Sequence, residues 1–227
     1  LLAVGFSSLA YAQSALQSLG EVTVTGTREE QLLSETPNTV GIIKEETILK
    51  GRPTHPSQVM NQVPGVWVSS LSGEGHTTSI RHPLTTSAVY LYLEDGIPTR
   101  PTGFFNHNAL YEVNVPQSGG MEVSKGPGSA LYGSDAIGGT INTLTRKPPK
   151  QAEFEASGEV GSFGWKRVLA SGGNSSGDNA WRASVNLTKN DGWQDSSAYD
   201  RESLNLRWDR AVADDAVLKT VFAATTV

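Results

Sequence analysis

Three of the four histidines, His76, His82 and His107, fall in stretches that read as loops: Ser69 to Thr78, His82 to Ser87 and Pro98 to Asn108. Imidazole is a metal ligand and a proton carrier near neutral pH. The third loop adds Arg100, Phe104, Phe105 and Asn106, a cationic and aromatic set suited to an anionic, partly flat ligand. The competing reading is that these side chains only pack against a neighbouring wall. His55 stands apart and reads as structural. Covalent chemistry has no comparable support. Ser129 and Ser134 lack a neighbouring histidine, and Glu94 and Asp95, adjacent on a strand end, point to opposite faces. No enzyme activity and no cofactor is expected.

Those loops need a frame, and Asn38 to Lys147 reads as a compact mixed α/β unit that supplies one. Thr39 to Ile43 is a strand, Thr47 to Leu49 starts a short helix, and Ser57 to Val63 is a helix with Ser57 as its N-cap and Pro64-Gly65 as its stop. Gly65 to Val68, Thr78 to Arg81 and Ala88 to Leu93 are strands, and Asp95-Gly96 makes a turn. The unit ends in Met121 to Pro148, where Gly126, Gly128, Gly133, Gly138 and Gly139 lie between a short alternating strand and a second β-prone run, Gly139 to Thr145. Glycine at that density implies positive φ and close packing. A phosphate cradle is excluded: Leu131 stands where a dinucleotide fingerprint needs its third glycine, and no Lys-Ser or Lys-Thr pair follows.

The pieces Glu122-Val123, Lys125-Gly126-Pro127, Ala130 to Gly133, Asp135 to Gly139, and Ile141-Asn142 through Arg146-Lys147-Pro148 resemble, nearly position for position, the end of the plug domain of TonB-dependent outer-membrane receptors. Pro64-Gly65-Val66 and Tyr92 to Pro98 resemble further landmarks of that plug. One departure is Ile80-Arg81-His82, where the family usually reads Ile-Arg-Gly. The loop there must enter without positive φ or with an unusual histidine conformation.

Composition agrees with an envelope protein. The 227 residues include 24 Gly and 11 Pro and no cysteine, which excludes disulfides, thiolate metal sites and a cysteine nucleophile. A net charge of -5 with scattered Lys and Arg argues against nucleic acid. Mean hydropathy is -0.29 and no apolar run is long enough for a transmembrane helix, but barrel strands alternate and average out.

Leu1 to Ala12 is apolar and ends in Ala10-Tyr11-Ala12, the form of a signal-peptidase site. It reads as a signal-peptide remnant (1–12) with Gln13 the mature start. Residues 13–37 form a polar N-terminal segment. Within it Glu21, Val22, Thr23, Val24 and Thr25 alternate as a strand with no evident partner nearby, as a segment that adds itself to another protein's sheet edge would. It resembles the TonB box, the contact with the energy-transducing protein TonB.

From 149 the pattern changes. Trp181, Ala183, Val185 and Leu187 alternate with Arg182, Ser184, Asn186 and Thr188; Leu204, Leu206 and Trp208 with Asn205, Arg207 and Asp209; Phe154, Ala156, Gly158 and Val160 with Glu155, Ser157 and Glu159. Turns fall at Ser175 to Asp178 and Ala213 to Asp215. Ten-residue alternation of this kind marks either a membrane barrel or a soluble β-sandwich. After a plug (38–148), the expectation is the first strands of an antiparallel transmembrane β-barrel, about five by length in 149–227 against the 22 of a complete transporter barrel.

The resemblance implies an α+β plug with a mixed sheet and short helices inside an incomplete barrel, in the outer membrane of a Gram-negative bacterium, with plug and N-terminus towards the periplasm. It implies that the three loops form the plug apex that meets substrate, such as a ferric siderophore or other metal chelate. TonB, working with ExbB and ExbD, would pull on the box. A vitamin, haem, free metal or glycan substrate stays open. A signalling receptor is the alternative class, although Gln13 to Gly20 leaves no room for the extra domain such receptors carry before the box. Outer-membrane lipid and a small molecule are the other expected partners, with a monomer when full length. Lys125, Arg146 and Lys147 are expected to pair with lumen acids such as Glu155 and Glu159.

Overall fold

The computed structural model describes residues 22–23, 31–101, 103, 108–213 and 215–227. In chain order the elements are β1 (Val22–Thr23), β2 (Gln31–Leu32), β3 (Thr39–Lys44), α1 (Glu45–Gly51), α2 (Ser57–Met60), β4 (Val66–Ser70), β5 (His76–Ile80), β6 (Tyr90–Glu94) and β7 (Ile97–Pro98). There follow β8 (Ser118–Lys125), α3 (Ser129–Tyr132), β9 (Gly139–Thr145), and then β10 (Glu153–Val160), β11 (Lys166–Ser176), β12 (Asn179–Asn190), β13 (Tyr199–Ala213) and β14 (Ala216–Thr226).

Two larger sheets organise these. The first has the order β3-β8-β9-β6-β7 and is mixed, because β6 runs parallel to β9 while the other neighbours are antiparallel. Its strands are covered, so their apolar residues lie inside: Ile43, Tyr92, Met121, Val123 and Ile141 form one buried cluster with Ile48 on α1, Met60 on α2, Ile80 on β5 and Leu110. Full burial of each large aliphatic residue contributes roughly 1.5–3 kcal/mol. Leu91, Leu93 and Ala136 make a smaller cluster with Tyr132 on α3.

The glycine-rich turn between β8 and β9 behaves as its composition implies. Gly126 has φ 130°, a conformation only glycine adopts readily. A Cβ on Gly138 would stand 2.7 Å from the Tyr90 ring. Two local expectations change. The left-handed residue before the second loop is Arg81 (φ 57°), one position earlier than the histidine that replaces the family glycine. α2 is only one turn long, and Pro56, not Ser57, holds the N-cap position. The Ser57 hydroxyl instead lies 2.7 Å from His55 Nδ1.

The second sheet, β10 to β14, is an antiparallel meander in which β10 and β14 are edges, so the barrel is not closed. Its alternation is the inverse of a soluble protein's. Trp181, Val185 and Leu187 are 50%, 36% and 47% exposed, while Arg182, Ser184, Asn186 and Thr188 are buried. A soluble sandwich would bury the apolar set, so this face is built for an apolar surrounding. Among the described residues no helix is long and apolar enough to cross a membrane, which says nothing of strands.

Candidate ligand and energy-coupling sites

The polar face of the second sheet grips the first. Arg167, Arg182, Arg201 and Arg207 all point inward and are buried. Arg167 Nη1 donates to the Pro53 carbonyl at 2.6 Å, Arg182 Nε to that of Lys147 at 2.9 Å, and Arg207 Nη1 to that of Thr145 at 3.0 Å. Arg201 donates from Nε to both carboxylate oxygens of Glu74, at 2.8 and 2.9 Å, and from Nη2 to the Tyr111 carbonyl. Planar, permanently charged guanidinium suits such fixed, several-pronged contacts. Asn205, Asn114 and Asn186 continue the seam at 3.0 Å each.

Arg146, just after β9, bonds Glu45 on α1 at 2.6 Å and Glu155 on β10. This is the expected tie between plug and wall. The other expected pairs do not form: Lys125 Nζ donates to the Pro64 carbonyl at 2.9 Å, Glu159 is taken by Arg167 at 2.7 Å, and Lys147 contributes its carbonyl. Lys125 is held below its usual pKa by burial and by neighbouring Arg81.

The loop residues separate by environment. His76 opens β5, has no exposed surface, and takes the Leu110 N–H on Nε2 at 3.2 Å. Its proton therefore sits on Nδ1, which donates to the Glu74 carbonyl at 2.9 Å. The ring packs edge-on against His55, which burial keeps below its ordinary pKa. Arg100 is 8% exposed and bonds Glu112 (2.6 Å), Asn108 (3.1 Å) and the Tyr111 hydroxyl (2.6 Å), stacking over the Tyr111 ring. It closes the third loop on itself. His82 is exposed at the start of the second loop. Phe104, Phe105, Asn106 and His107 lie outside the described residues.

Glu94 and Asp95 diverge, as their adjacency requires. Asp95 (φ 48°) accepts the Thr145 N–H at 3.0 Å, tying the turn to the end of β9. Glu94 lies 3.4 Å from Asn205 on β13, and burial, with Asp95 beside it, pushes its carboxyl up to about 7. Burial also drives the Tyr92 phenol above its usual range, and its hydroxyl donates to Thr78 at 2.6 Å.

Of the five box residues, Glu21, Val24 and Thr25 lie outside the described residues. Val22 and Thr23 form β1 and do have a partner in the neighbouring sequence, contrary to expectation: they pair antiparallel with Leu32 and Gln31. Thr23 is fully buried, and its hydroxyl donates to Glu122 on β8 at 2.8 Å. A two-residue ladder has no hydrophobic pattern to reveal it in sequence. The inward arginines, by contrast, share the strand parity already visible in the alternation.

A mixed-sheet plug packed against antiparallel strands that are polar towards it and apolar on the far side defines the class: a plug domain with strands resembling the start of a receptor barrel. The family model described as TonB-dependent Receptor Plug Domain matches residues 32–140. The vitamin B12 transporter BtuB of Vibrio vulnificus is 34% identical over 188 residues, covering 76% of this chain and 30% of the relative. The fold resembles the pyoverdine outer membrane receptor FpvA of Pseudomonas aeruginosa (TM-score 0.69, 19% identity, 90% of this chain and 30% of that one). It also resembles the alcaligin outer membrane receptor FauA of Bordetella pertussis (TM-score 0.71, 16% identity, 90% and 35%). This chain belongs to the TonB-dependent receptor family, a family of transporters and receptors and not of enzymes. It spans about a third of the length of the relatives it matches.

Proposed function

We propose that the chain is the plug (38–148) and first wall strands (149–227) of a receptor that imports a scarce nutrient across the outer membrane of a Gram-negative bacterium, with a ferric siderophore or other metal chelate as cargo. The observation that carries this reading is the inverted alternation of β10 to β14 around a plug clamped by inward arginines. The N-terminal segment faces the periplasm, where TonB, with ExbB and ExbD, takes the box at Glu21 to Thr25 as an added strand. Main-chain bonds then supply the affinity. To be taken, β1 must leave β2 and Thr23 must leave Glu122. Ligand contact is assigned to His82, Phe104, Phe105, Asn106 and His107. His76 and Arg100 hold the loops in place through the bonds described above.

A second cargo, a vitamin, is favoured by the 34% identity to a vitamin B12 transporter. Titration of the full-length receptor in detergent with a panel of ferric siderophores, haem, cyanocobalamin, Cu(II) and Zn(II) separates the two. Tight binding of one ferric chelate, weakened at least tenfold by His82→Ala with His107→Ala, is the expected result. Binding of cyanocobalamin alone transfers the assignment to the vitamin. For coupling, Val24→Pro is expected to abolish uptake in cells while Val24→Ala leaves it near wild type; equal uptake by Val24→Pro would refute strand addition at the box.

A further inference from the structure

Arg201 lies near the start of β13 on the wall, yet it bonds to two separate stretches of the plug. Its Nε and Nη2 both meet the Glu74 carboxylate in the first loop, and Nη2 also donates to the Tyr111 carbonyl, just beyond the third. Nη1 turns back to its own strand, donating to Ser203 Oγ at 3.1 Å. With 5% of its side chain exposed and all three nitrogens engaged, Arg201 is not placed to touch cargo itself.

A second tie between the same two stretches runs through the plug alone. The His76 ring donates from Nδ1 to the Glu74 carbonyl at 2.9 Å and accepts the Leu110 N–H on Nε2 at 3.2 Å. With the Leu110–Tyr111 peptide, the two ties close a ring from Glu74 through His76, Leu110, Tyr111 and Arg201 back to Glu74. All of that ring belongs to the plug except Arg201. From Tyr111 the fixation passes into the third loop. The Tyr111 hydroxyl accepts from Arg100 Nη2 at 2.6 Å, its ring lies under that guanidinium, and Arg100 Nη1 reaches Asn108 at 3.1 Å. The first loop has one further bond to the wall, from the Ser72 hydroxyl to the Ser196 carbonyl at 3.1 Å.

We infer that Arg201 is a positioning residue of the ligand site: from the wall it sets the first loop against the third without touching cargo. A planar guanidinium holds a carboxylate and a carbonyl at a fixed angle to each other, which a single ammonium cannot do. His76 joins the same loops inside the plug, so Arg201 is the link that depends on the plug being seated against β13. The inference rests on the proposed reading of these loops as the ones that meet cargo.

Arg201→Lys in the full-length receptor in detergent tests it, because lysine keeps a charge for Glu74 and loses the fork. Hydrogen exchange is read at Leu71 to Gly75 and at Leu110 to Val113. Binding is titrated with ferric siderophores, haem, cyanocobalamin, Cu(II) and Zn(II). Exchange is expected to quicken at Leu110 to Val113 and to stay near wild type at Leu71 to Gly75, a split that general destabilisation would not produce. Affinity for the probe that wild type binds is expected to fall about tenfold, as loss of one charge-assisted hydrogen bond implies. Arg201→Ala with Glu74→Gln, which leaves no buried charge unpaired, should free both segments. Unchanged exchange at Leu110 to Val113 in both variants overturns the inference, whichever probe binds. So does unchanged affinity in Arg201→Lys where His82→Ala with His107→Ala weakens it. If the histidine variant also binds as wild type does, the loops do not meet cargo, and it is the proposed reading of the site that fails, with the inference built on it.

Discussion

The plug sheet and the wall sheet use the same period-two rule to opposite ends. In β8 and β9 the apolar residues Met121, Val123 and Ile141 are sealed in a core. In β12 and β13 the residues sealed inside are Arg182, Ser184, Asn186, Arg201 and Ser203, and Trp181, Leu206 and Trp208 face outward. Alternation alone says only that two faces differ. Which face is inside depends on what lies beyond each sheet, and here the inside of one sheet is the polar outside of the other. The seam between them is therefore held by directional bonds and ion pairs, a different glue from the plug's own core.

That contrast can be broken most severely at the seam. Arg201→Ala leaves Glu74 buried without its partner, at a cost of about 3–5 kcal/mol. The expected outcome is fast hydrogen exchange at Leu71 to Gly75 in the full-length receptor, with the amides of β8 and β9 unchanged. Loss of protection throughout the plug would mean that seam and core are one unit.

The two cores come next. Ile141→Ala in the plug should cost about 2–5 kcal/mol, read as exchange across β6, β8 and β9. Leu206→Arg on the outward face should cost roughly 2–4 kcal/mol of barrel stability in lipid, measured by denaturant unfolding in vesicles. The same substitution in a soluble sheet with that face on the surface would be nearly neutral, so a null result would remove the membrane assignment of the face.

A smaller effect is tied to pH. Glu94 lies between the sheets with its carboxyl raised from 4.5 to about 7, so the folded state binds its proton more tightly than the unfolded one. Its contribution is fully present below about pH 4.5 and is lost as pH rises through about 7, an effect on the order of 2–3 kcal/mol at most. The protection factors of the β6 amides, which remove the intrinsic base-catalysed rise of exchange, should fall between pH 5 and 8 in wild type and stay flat in Glu94→Gln. The smallest change is expected from Lys50→Ala, which removes an exposed i,i+4 pair with Glu46 and should shift stability by less than ~0.5 kcal/mol.

Much of this architecture is legible in residue types and spacing. The glycine-rich turn, β9 at Gly139–Thr145, the wall strands and the turn after Ser176 all follow from local rules: glycine permits positive φ, and alternation makes two faces. The candidate site was less legible. His76 and Arg100 have the chemistry of ligand residues, yet their nitrogens are engaged by Leu110, Glu74, Glu112 and Asn108, groups whose approach no spacing encodes.

By itself, then, the sequence determined most of the longer strands, where the backbone turns, and that each wall strand has one apolar and one polar face, because these depend on neighbours a few residues apart; it missed the β1-β2 ladder and read His76, the first residue of β5, as part of a loop. Tertiary structure alone decided that the polar wall face is the buried one and that Arg201 meets Glu74, 127 residues away. It also decided that Thr23 is tied to Glu122 and that Glu94 sits where its charge is disfavoured. Each of these depends on which surface two distant segments exclude from water together, and that is settled only when the plug is seated against the wall.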